Sequence, residues 1–529
     1  MRRLPIGVQD FEDMITSGYV YVDKTDLVYK LVTGSKQYFL GRPRRFGKSL
    51  LISTLEAYFQ GKRELFCGLA IEELEKEWKS YPVIHLDMGG ADYSSLDTFS
   101  TWLASRLKNY ENMWGLPNNT DGILSSQFID LIANAHKMAG QKVVILIDEY
   151  DKPLIETLDD KELNDLFRSK LRYFYGVLKS ADEHMHLSFL TGVTKFSQVN
   201  IFSDLNHLND ISMNNKYANI CGMTAEELAA NFGPELDELA EANDMSREEV
   251  MAEMKGRYDG YRFCRKIGGI YNPFSILNTL ETREFRNYWF RTGTPTFLVK
   301  SLAEHSFNLM EFNDEITATD DELTDYRAGS ANIVPLLYQS GYLTIKSYAD
   351  SEYTLGFPNA EVRYGFTQEL FNYYAPDSQR QDFDAKQFVR DLRNRDVDGF
   401  MRRFQAFFSS ITYDLKSKFT AEAHYQTVMF LVTTLMGQYA AVEIHSSRGR
   451  SDLEITLPEA RYIMEFKLSK KQDSANAALA QIRDRGYAEQ YMAGGRPIVL
   501  VGAVFDPEKR NISSWMYDAM TPYTLREPE

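Results

Sequence analysis

The sequence predicts an α/β protein with a parallel sheet in residues 1–210, a helical middle region, and a separate, smaller α/β unit in residues 411–529. Three observations carry this. Short apolar runs alternate with helical stretches from residue 36 to about 200, the pattern of successive βα units. Residues 211–290 then turn to Glu-, Ala-, Met- and Asn-rich segments such as AEELAANF and SREEVMAEMKGRY, which read as helices. Strand-like runs return only near the C-terminus, and two of them flank a tight PEA turn.

The elements follow in order. QYFLG (37–41), PVIHLDM (82–88), KVVILID (142–148) and HLSFLTGV (186–193) are near-continuous apolar strands, as expected where helices cover both faces of a sheet. Residues 211–325 read as a helical lid region. From 326 to 410, a helix-like ANIVPLLYQSGY runs into LTIKSY and YTLGF, joined by ADSE, and then into TQELFNYY. Helix, hairpin and helix suit a winged-helix-like module or a plain connector. A charged helical stretch over 378–410 leads to a boundary near 410. The last region runs from the helix TAEAHYQTVMFLVTTLM to the hairpin SDLEITL and RYIMEFKL, then the helix NAALAQIRDRGYAEQY and the strand RPIVLVGAVF.

With 44% apolar and 25% charged residues among 529, the chain has the composition of a folded domain protein. A net charge of -16 excludes a protein that coats nucleic acid through bulk positive charge, while leaving a local basic groove open. Cys67, Cys221 and Cys264 have no paired spacing, so neither a disulfide framework nor a zinc site is indicated and a reducing compartment fits. No apolar run approaches the roughly 18 residues of a membrane span, so the expectation is a cytoplasmic protein without membrane contact.

The first candidate site is GRPRRFGKS, residues 41–49. A phosphate-binding loop needs a glycine so that backbone N–H groups can curl around oxygens, a lysine for the terminal phosphates and a hydroxyl for Mg²⁺, which Gly47, Lys48 and Ser49 supply. The usual spacing places the first glycine at 42, where this chain has Arg42; Gly41 lies one residue too early. KVVILIDEYDKP ends an apolar strand in Asp148 and Glu149, the placement of a Mg²⁺-binding aspartate followed by a water-activating glutamate. Thr194, after the next strand, occupies the place of a γ-phosphate sensor. The candidate nucleotide set is Gly41, Arg45, Phe46, Gly47, Lys48, Ser49, Leu50 and Thr194, with ATP as ligand and Mg²⁺ on Ser49 and Asp148. Arg42, Arg44 and Arg45 either meet phosphates or nucleic acid or face solvent, the last being the default for any one of them. Arg257 is a candidate lid or trans arginine.

The second candidate site is the hairpin around PEA. Period two puts Glu465 and Lys467 on one face of their strand, and if the loop is LPEA, Asp452 lies opposite Glu465, side by side on the sheet. Two adjacent carboxylates are costly unless a cation lies between them. Mg²⁺ or Mn²⁺ on Asp452 and Glu465 would remove that cost, with Lys467 placed to orient a water for attack on a phosphodiester. An internal ion pair on a half-exposed hairpin is the alternative. Glu422 and Gln481, on the flanking helices, are placed to complete a metal or water shell; His424 reads as an ordinary helix residue.

Taken together, RPRRFGKS, VILIDEYDKP and the later YWFRTGTP resemble a family of AAA-like ATPases common in bacterial genomes, and Asp452 with Glu465-x-Lys467 resembles the PD-(D/E)XK nuclease core that this family carries at its C-terminus. The resemblance covers residues 1–300 and 415–515. It implies a P-loop parallel-sheet ATPase domain and a restriction-endonuclease-like domain. Lys48, Ser49, Asp148 and Glu149 match the nucleotide positions, and Glu422, Asp452, Glu465, Lys467 and Gln481 the nuclease positions. The chain departs from the pattern at Arg42. The function implied is an ATP-hydrolysing protein coupled to metal-dependent cleavage of nucleic acid, DNA ahead of RNA; the alternative is a signalling NTPase whose C-terminal domain binds nucleic acid or a partner without cutting. ATPases of this type often take an arginine from a neighbouring copy, so a homo-oligomer is also an expectation.

Overall fold

The computed structural model describes residues 2–117, 122–195, 208–266, 268–290, 298–299, 302, 309–312, 316–324, 332–374, 384–410, 420–444, 452–468 and 474–520. The chain separates into two compact units, Met1–Gly293 with Asp314–Val362, and Thr294–Asn313 with Arg363–Glu529. The sequence boundary near 410 lies well inside the second unit.

In the first unit, α1 (Phe11–Thr16) and α2 (Thr25–Val32) precede β1 (Gln37–Gly41) and α3 (Lys48–Phe59). There follow β2 (Val83–Asp87), α4 (Leu96–Met113), α5 (Leu124–Ala139), β3 (Val143–Asp148), α6 (Lys161–Ser180), β4 (Met185–Gly192) and the two-residue β5 (Asn209–Asp210). The five strands are parallel in the order β2-β3-β4-β1-β5. Every residue of β3 is buried, which is why its sequence is an unbroken apolar run up to its terminal acid. From β1 the chain crosses to the far edge of the sheet and works back through β3 and β4, then places β5 on the other side of β1. The carboxyl end of β1 is therefore a topological switch point, where open α/β sheets bind ligands.

The helical region contains α7 (Ala225–Asn231), α8 (Gly233–Ala242), α9 (Arg247–Tyr258) and α10 (Pro273–Thr282). Thr224 with Glu227 and Ser246 with Glu249 close capping boxes at α7 and α9. Leu228, Phe232, Leu236, Val250, Met254 and Ile276 form their shared core, and Leu4, Ile6, Val20 and Val22 from the start of the chain pack against it. The N-terminal segment and the helical region are thus one structural body, and the Lys24–Glu227 ion pair ties them further.

Beyond it come β6 (Ile316–Ala318), α11 (Val334–Gln339), β7 (Thr344–Ala349), β8 (Glu352–Gly356) and α12 (Ala360–Tyr374). The hairpin read from the sequence is present, turning at Asp350 and Ser351, both at positive φ (51° and 68°), as a two-residue hairpin turn of the primed type requires. Its sheet has a third strand, β6, which lies before the boundary drawn at 325.

The second unit contains α13 (Val397–Ser410), α14 (Ala421–Met436), β9 (Ala441–Ile444), β10 (Leu453–Thr456), β11 (Arg461–Leu468), α15 (Ala475–Asp484), β12 (Ile498–Asp506) and β13 (Asn511–Met520). The sheet order is β13-β12-β11-β10-β9, with β11 and β12 parallel and the other neighbours antiparallel. Among the described residues, no helix is long and apolar enough to cross a membrane.

Candidate functional site

Strand register gathers the first site at the carboxyl ends of the parallel sheet. Asp87 of β2 pairs with Asp148 of β3, and Leu40 of β1 pairs with Thr191 of β4. Thr191 donates through its hydroxyl to Asp148 Oδ1, which also accepts from the Glu149 backbone N–H at 3.0 Å. Glu149 itself has φ 52°, a left-handed conformation that strains a residue with a Cβ. Such strain is typical of functional positions. The turn lays the Glu149 carboxylate against Gly89: a Cβ there would stand 2.8 Å from Glu149 Oε2. Burial pushes the Glu149 carboxyl up, partly offset by Lys152 and Lys48.

Gly47, at φ 93°, turns the chain into α3, and Lys48 is the first residue of that helix. Lys48 is buried, and its ammonium donates to the carbonyls of Arg42 and Pro43, at 3.0 Å each. Burial pulls its pKa down, opposed by the charges of Asp148, Glu149 and Asp151. Ser49 is half-buried in the first turn of the helix. Thr194 is fully buried and its hydroxyl donates to Asp151 Oδ2 at 2.8 Å, an oxygen that also accepts the Val193 and Thr194 backbone N–H groups at 2.9 and 2.6 Å. Thr194 thus fixes the turn after β4, while Thr191 makes the contact to Asp148.

The loop arginines differ from one another. Arg42 does not follow the solvated default: it is 1% exposed. Its guanidinium donates to the carbonyls of Gly41 and Ser212 at 2.8 and 2.7 Å and of Tyr217 and Ala218 at 3.2 and 3.3 Å, and it lies 4.2 Å from the Phe263 ring centroid. Four carbonyl dipoles and an aromatic face replace water around the charge. Arg44 uses its carbonyl to accept the Trp289 indole N–H at 3.0 Å. Arg45 is exposed, at φ 67°, with its guanidinium 5.1 Å from the Phe274 ring centroid. Phe46 is buried edge-on to Tyr261 and Phe263, at 4.8 and 5.4 Å. The Gly41 N–H donates to Ser212 Oγ at 2.8 Å. Arg257 pairs with Glu253 one turn earlier on its own helix.

A cavity of about 420 Å³ opens beside Gly47, Lys48, Ser49 and Leu50. Its lining joins the phosphate loop, Glu149 and Lys152 to an apolar wall of Val8, Val22, Met223, Phe274 and Leu277, of which Phe274 lies against Arg45 of the loop. A lining that combines charged and apolar groups suits a molecule with a planar base and a polyanionic tail.

In the second unit, Leu453 pairs with Met464, which sets Asp452 beside Glu465. Asp452 Oδ2 accepts the Phe466 N–H at 2.8 Å. Gln481 of α15 bridges the strand's charged pair: its amide N–H donates to Glu465 Oε1 and its oxygen accepts from Lys467 Nζ at 2.8 Å. Glu465 is 6% exposed, and its Oε2 has no hydrogen-bond partner. Burial, and next the charge of Asp452, push the Glu465 carboxyl up to about 7. A buried carboxylate oxygen without a donor, beside a second carboxylate, fits a hard divalent cation with oxygen ligands. Among the described residues no group of three or more His, Cys, Asp or Glu comes together for a metal. Glu422 and His424 lie on α14, but their side chains fall outside the described residues, as do residues 291–295 of the YWFRTGTP motif and residues 378–383 of the charged stretch.

A family model described as "Predicted AAA-ATPase" matches residues 5–202, and one of the PD-(D/E)XK nuclease superfamily matches residues 420–515. A protein of Azotobacter chroococcum mcd 1, "Uncharacterized protein in vnfD 5'region", is 35% identical over 527 residues, covering 98% of this chain and 99% of that protein. The chain belongs to this family of AAA-ATPase-like proteins with a PD-(D/E)XK domain. Among solved structures, the Aeropyrum pernix ORC2 protein, in ADPNP and ADP complexes, covers 63% of this chain and 87% of its own at 12% identity, with a TM-score of 0.25.

The AAA-ATPase-like match contains the whole phosphate loop and Asp148 with Glu149, and the PD-(D/E)XK match contains Asp452, Glu465, Lys467 and Gln481. Met223, Phe274 and Leu277, which line the nucleotide-sized cavity, lie outside both matches. Sequence reasoning also missed Val8 and Val22 on that wall, and Thr191. Thr191 was detectable, since period two places it on the opposite face to Leu190. Tyr425 of α14 was missed as well: burial and the charges of Asp452 and Glu465 hold its phenol far above its ordinary range, and its ring lies 5.8 Å from that of Phe466. Its place in the helix segment AEAHYQTVMF, which carries Glu422, was the available signal.

Proposed function

We propose that this protein hydrolyses ATP at the carboxyl ends of β1 and β3 and cleaves nucleic-acid phosphodiesters, DNA ahead of RNA, at Asp452, Glu465 and Lys467. The observation that supports it most is the abutting pair Asp452 and Glu465, with a buried Glu465 oxygen left unpartnered beside Lys467 and Gln481.

At the first site the backbone N–H groups at the start of α3 receive the phosphates. Lys48 exchanges the carbonyls of Arg42 and Pro43 for phosphate oxygens, an exchange that restores a counter-charge to a buried ammonium. Ser49 and Asp148 would hold Mg²⁺. Glu149, whose affinity for a proton is raised by burial, takes the proton of the attacking water. At the second site Asp452 and Glu465 would hold Mg²⁺ or Mn²⁺, and Gln481 keeps Lys467 in line with Glu465 so that its ammonium orients the water. Bound divalent ions supply charge neutralisation on the phosphoryl oxygens at both sites. With three free cysteines, the chain suits the cytoplasm.

The test is purified protein with labelled DNA or RNA, with and without ATP and Mg²⁺. Asp452→Ala should abolish Mg²⁺-dependent cleavage and leave ATP turnover intact, whereas Lys48→Ala should abolish turnover. Cleavage that survives Asp452→Ala would remove the nuclease assignment; binding without any cleavage by the unaltered protein would favour a binding-only C-terminal unit.

A further inference from the structure

Three arginines crowd the phosphate loop, and the fold spends the guanidinium of one of them, Arg42, on carbonyls. Arg44 is anchored through its backbone carbonyl to Trp289. Arg45 is exposed and makes no hydrogen bond or ion pair among the described residues; its guanidinium rests against the Phe274 ring at the edge of the 420 Å³ cavity. Its backbone sits at φ 67°, a conformation easy for glycine and strained for any residue with a Cβ. An arginine kept where glycine is conformationally preferred, two residues before Gly47 and three before Lys48, is placed by its backbone for a task that its side chain performs.

Hydrolysis of ATP defines such a task. The water oxygen bonds to the γ-phosphorus and the bond from that phosphorus to the β–γ bridging oxygen breaks. Its electron pair stays on ADP, and the water proton passes to Glu149. Negative charge builds on the bridging and γ oxygens as this happens, and an arginine reaching them accelerates the step whether it comes from the same chain or from another.

We propose that Arg45 is that arginine, supplied in cis, swinging from the Phe274 ring onto the terminal phosphate, so that turnover needs no second copy of the chain. This rests on the ATPase reading above. The loop then carries both the binding lysine and the catalytic arginine, and a neighbour's arginine becomes unnecessary.

The test compares full-length wild type with Arg45→Gly, Arg45→Lys and a mixture of Arg45→Gly with Lys48→Ala. Glycine relieves the strained backbone, so Arg45→Gly should melt no lower than wild type. Its kcat for ATP should nevertheless fall on the order of 10³-fold, with KM changed far less, and Arg45→Lys should recover only part of the loss. The mixture should remain inactive, because neither chain holds both residues, and wild-type turnover per mole should not depend on protein concentration. Turnover of Arg45→Gly within about two-fold of wild type would overturn the proposal, and so would turnover restored by mixing, which would place the arginine in a neighbour's site. A wild-type protein that never hydrolyses ATP would instead remove the ATPase reading, and this inference with it.

Discussion

Glu465→Gln tests the nuclease site through stability. In the metal-free protein, burial and Asp452 hold the Glu465 carboxyl at about 7 against an ordinary 4.5. At about 1.36 kcal/mol per tenfold change in proton affinity, that difference is worth about 3 kcal/mol. The sign follows from linkage. Below about pH 4.5 the carboxyl is protonated in folded and unfolded chain alike, and it costs nothing. Between 4.5 and 7 the unfolded chain releases the proton while the folded one keeps it, so stability falls as pH rises; above 7 the loss levels off. A glutamine cannot ionise. It still accepts from Gln481, and its new N–H₂ can donate to Asp452. With a chelator present at pH 8, Glu465→Gln should therefore stabilise the second unit by about 3 kcal/mol, on the order of 6–12 °C in melting temperature, and the gap should shrink to under about 1 kcal/mol at pH 5. Mg²⁺ should raise the wild-type melting temperature and leave the variant unmoved. Scanning calorimetry at the two pH values, with and without Mg²⁺, reads all of this. Equal melting temperatures at pH 8, or a gap that does not depend on pH, would refute the reasoning.

Arg42→Gly would restore the usual glycine spacing of a phosphate loop, yet it should destabilise the protein by about 2–4 kcal/mol in urea denaturation, because four buried carbonyls lose their donor. An unchanged midpoint would mean that water replaces the guanidinium without loss. Gly89→Ala puts a methyl group 2.8 Å from Glu149 Oε2 and should lower kcat for ATP by about 10- to 100-fold with nucleotide affinity unchanged in a fluorescent-ATP titration. Undiminished turnover would show that Gly89 does not set the position of Glu149.

The parallel sheet was legible because β1 to β4 are largely buried, so their sequences are mostly apolar, with β3 unbroken up to its terminal acid and His85, His186 and Ser188 the interruptions in β2 and β4. The pairing of Asp452 with Glu465 was legible for a related reason: a short turn leaves a hairpin little freedom of register, and a period of two does the rest. Arg42 was not, since a charged side chain is solvated unless the fold supplies carbonyls, and here they come from residues 212–218, far along the chain. The cavity's apolar wall was hidden likewise, because Val22 and Leu277 meet only once the helical core has formed. β13 was hidden because it is an edge strand whose exposed Ser513, Ser514, Met516 and Tyr517 give no clean alternation.

The division of the chain bears on how its parts can be separated. The polypeptide passes from one unit to the other after Gly293, Asn313 and Val362. A scission after Gly293 strips the first unit of β6, β7 and β8, while one after Asn313 deprives the second of Phe312, whose ring lies 5.7 Å from Phe366 and 6.0 Å from Phe430. A fragment beginning at 411 would fare no better, having lost the Phe404 and Phe408 rings of α13 that cover Phe466 and Phe505. Neither half can be inherited, swapped or expressed intact through one breakpoint, so recombination acting on the gene meets a two-part protein that is covalently interleaved and is passed on whole.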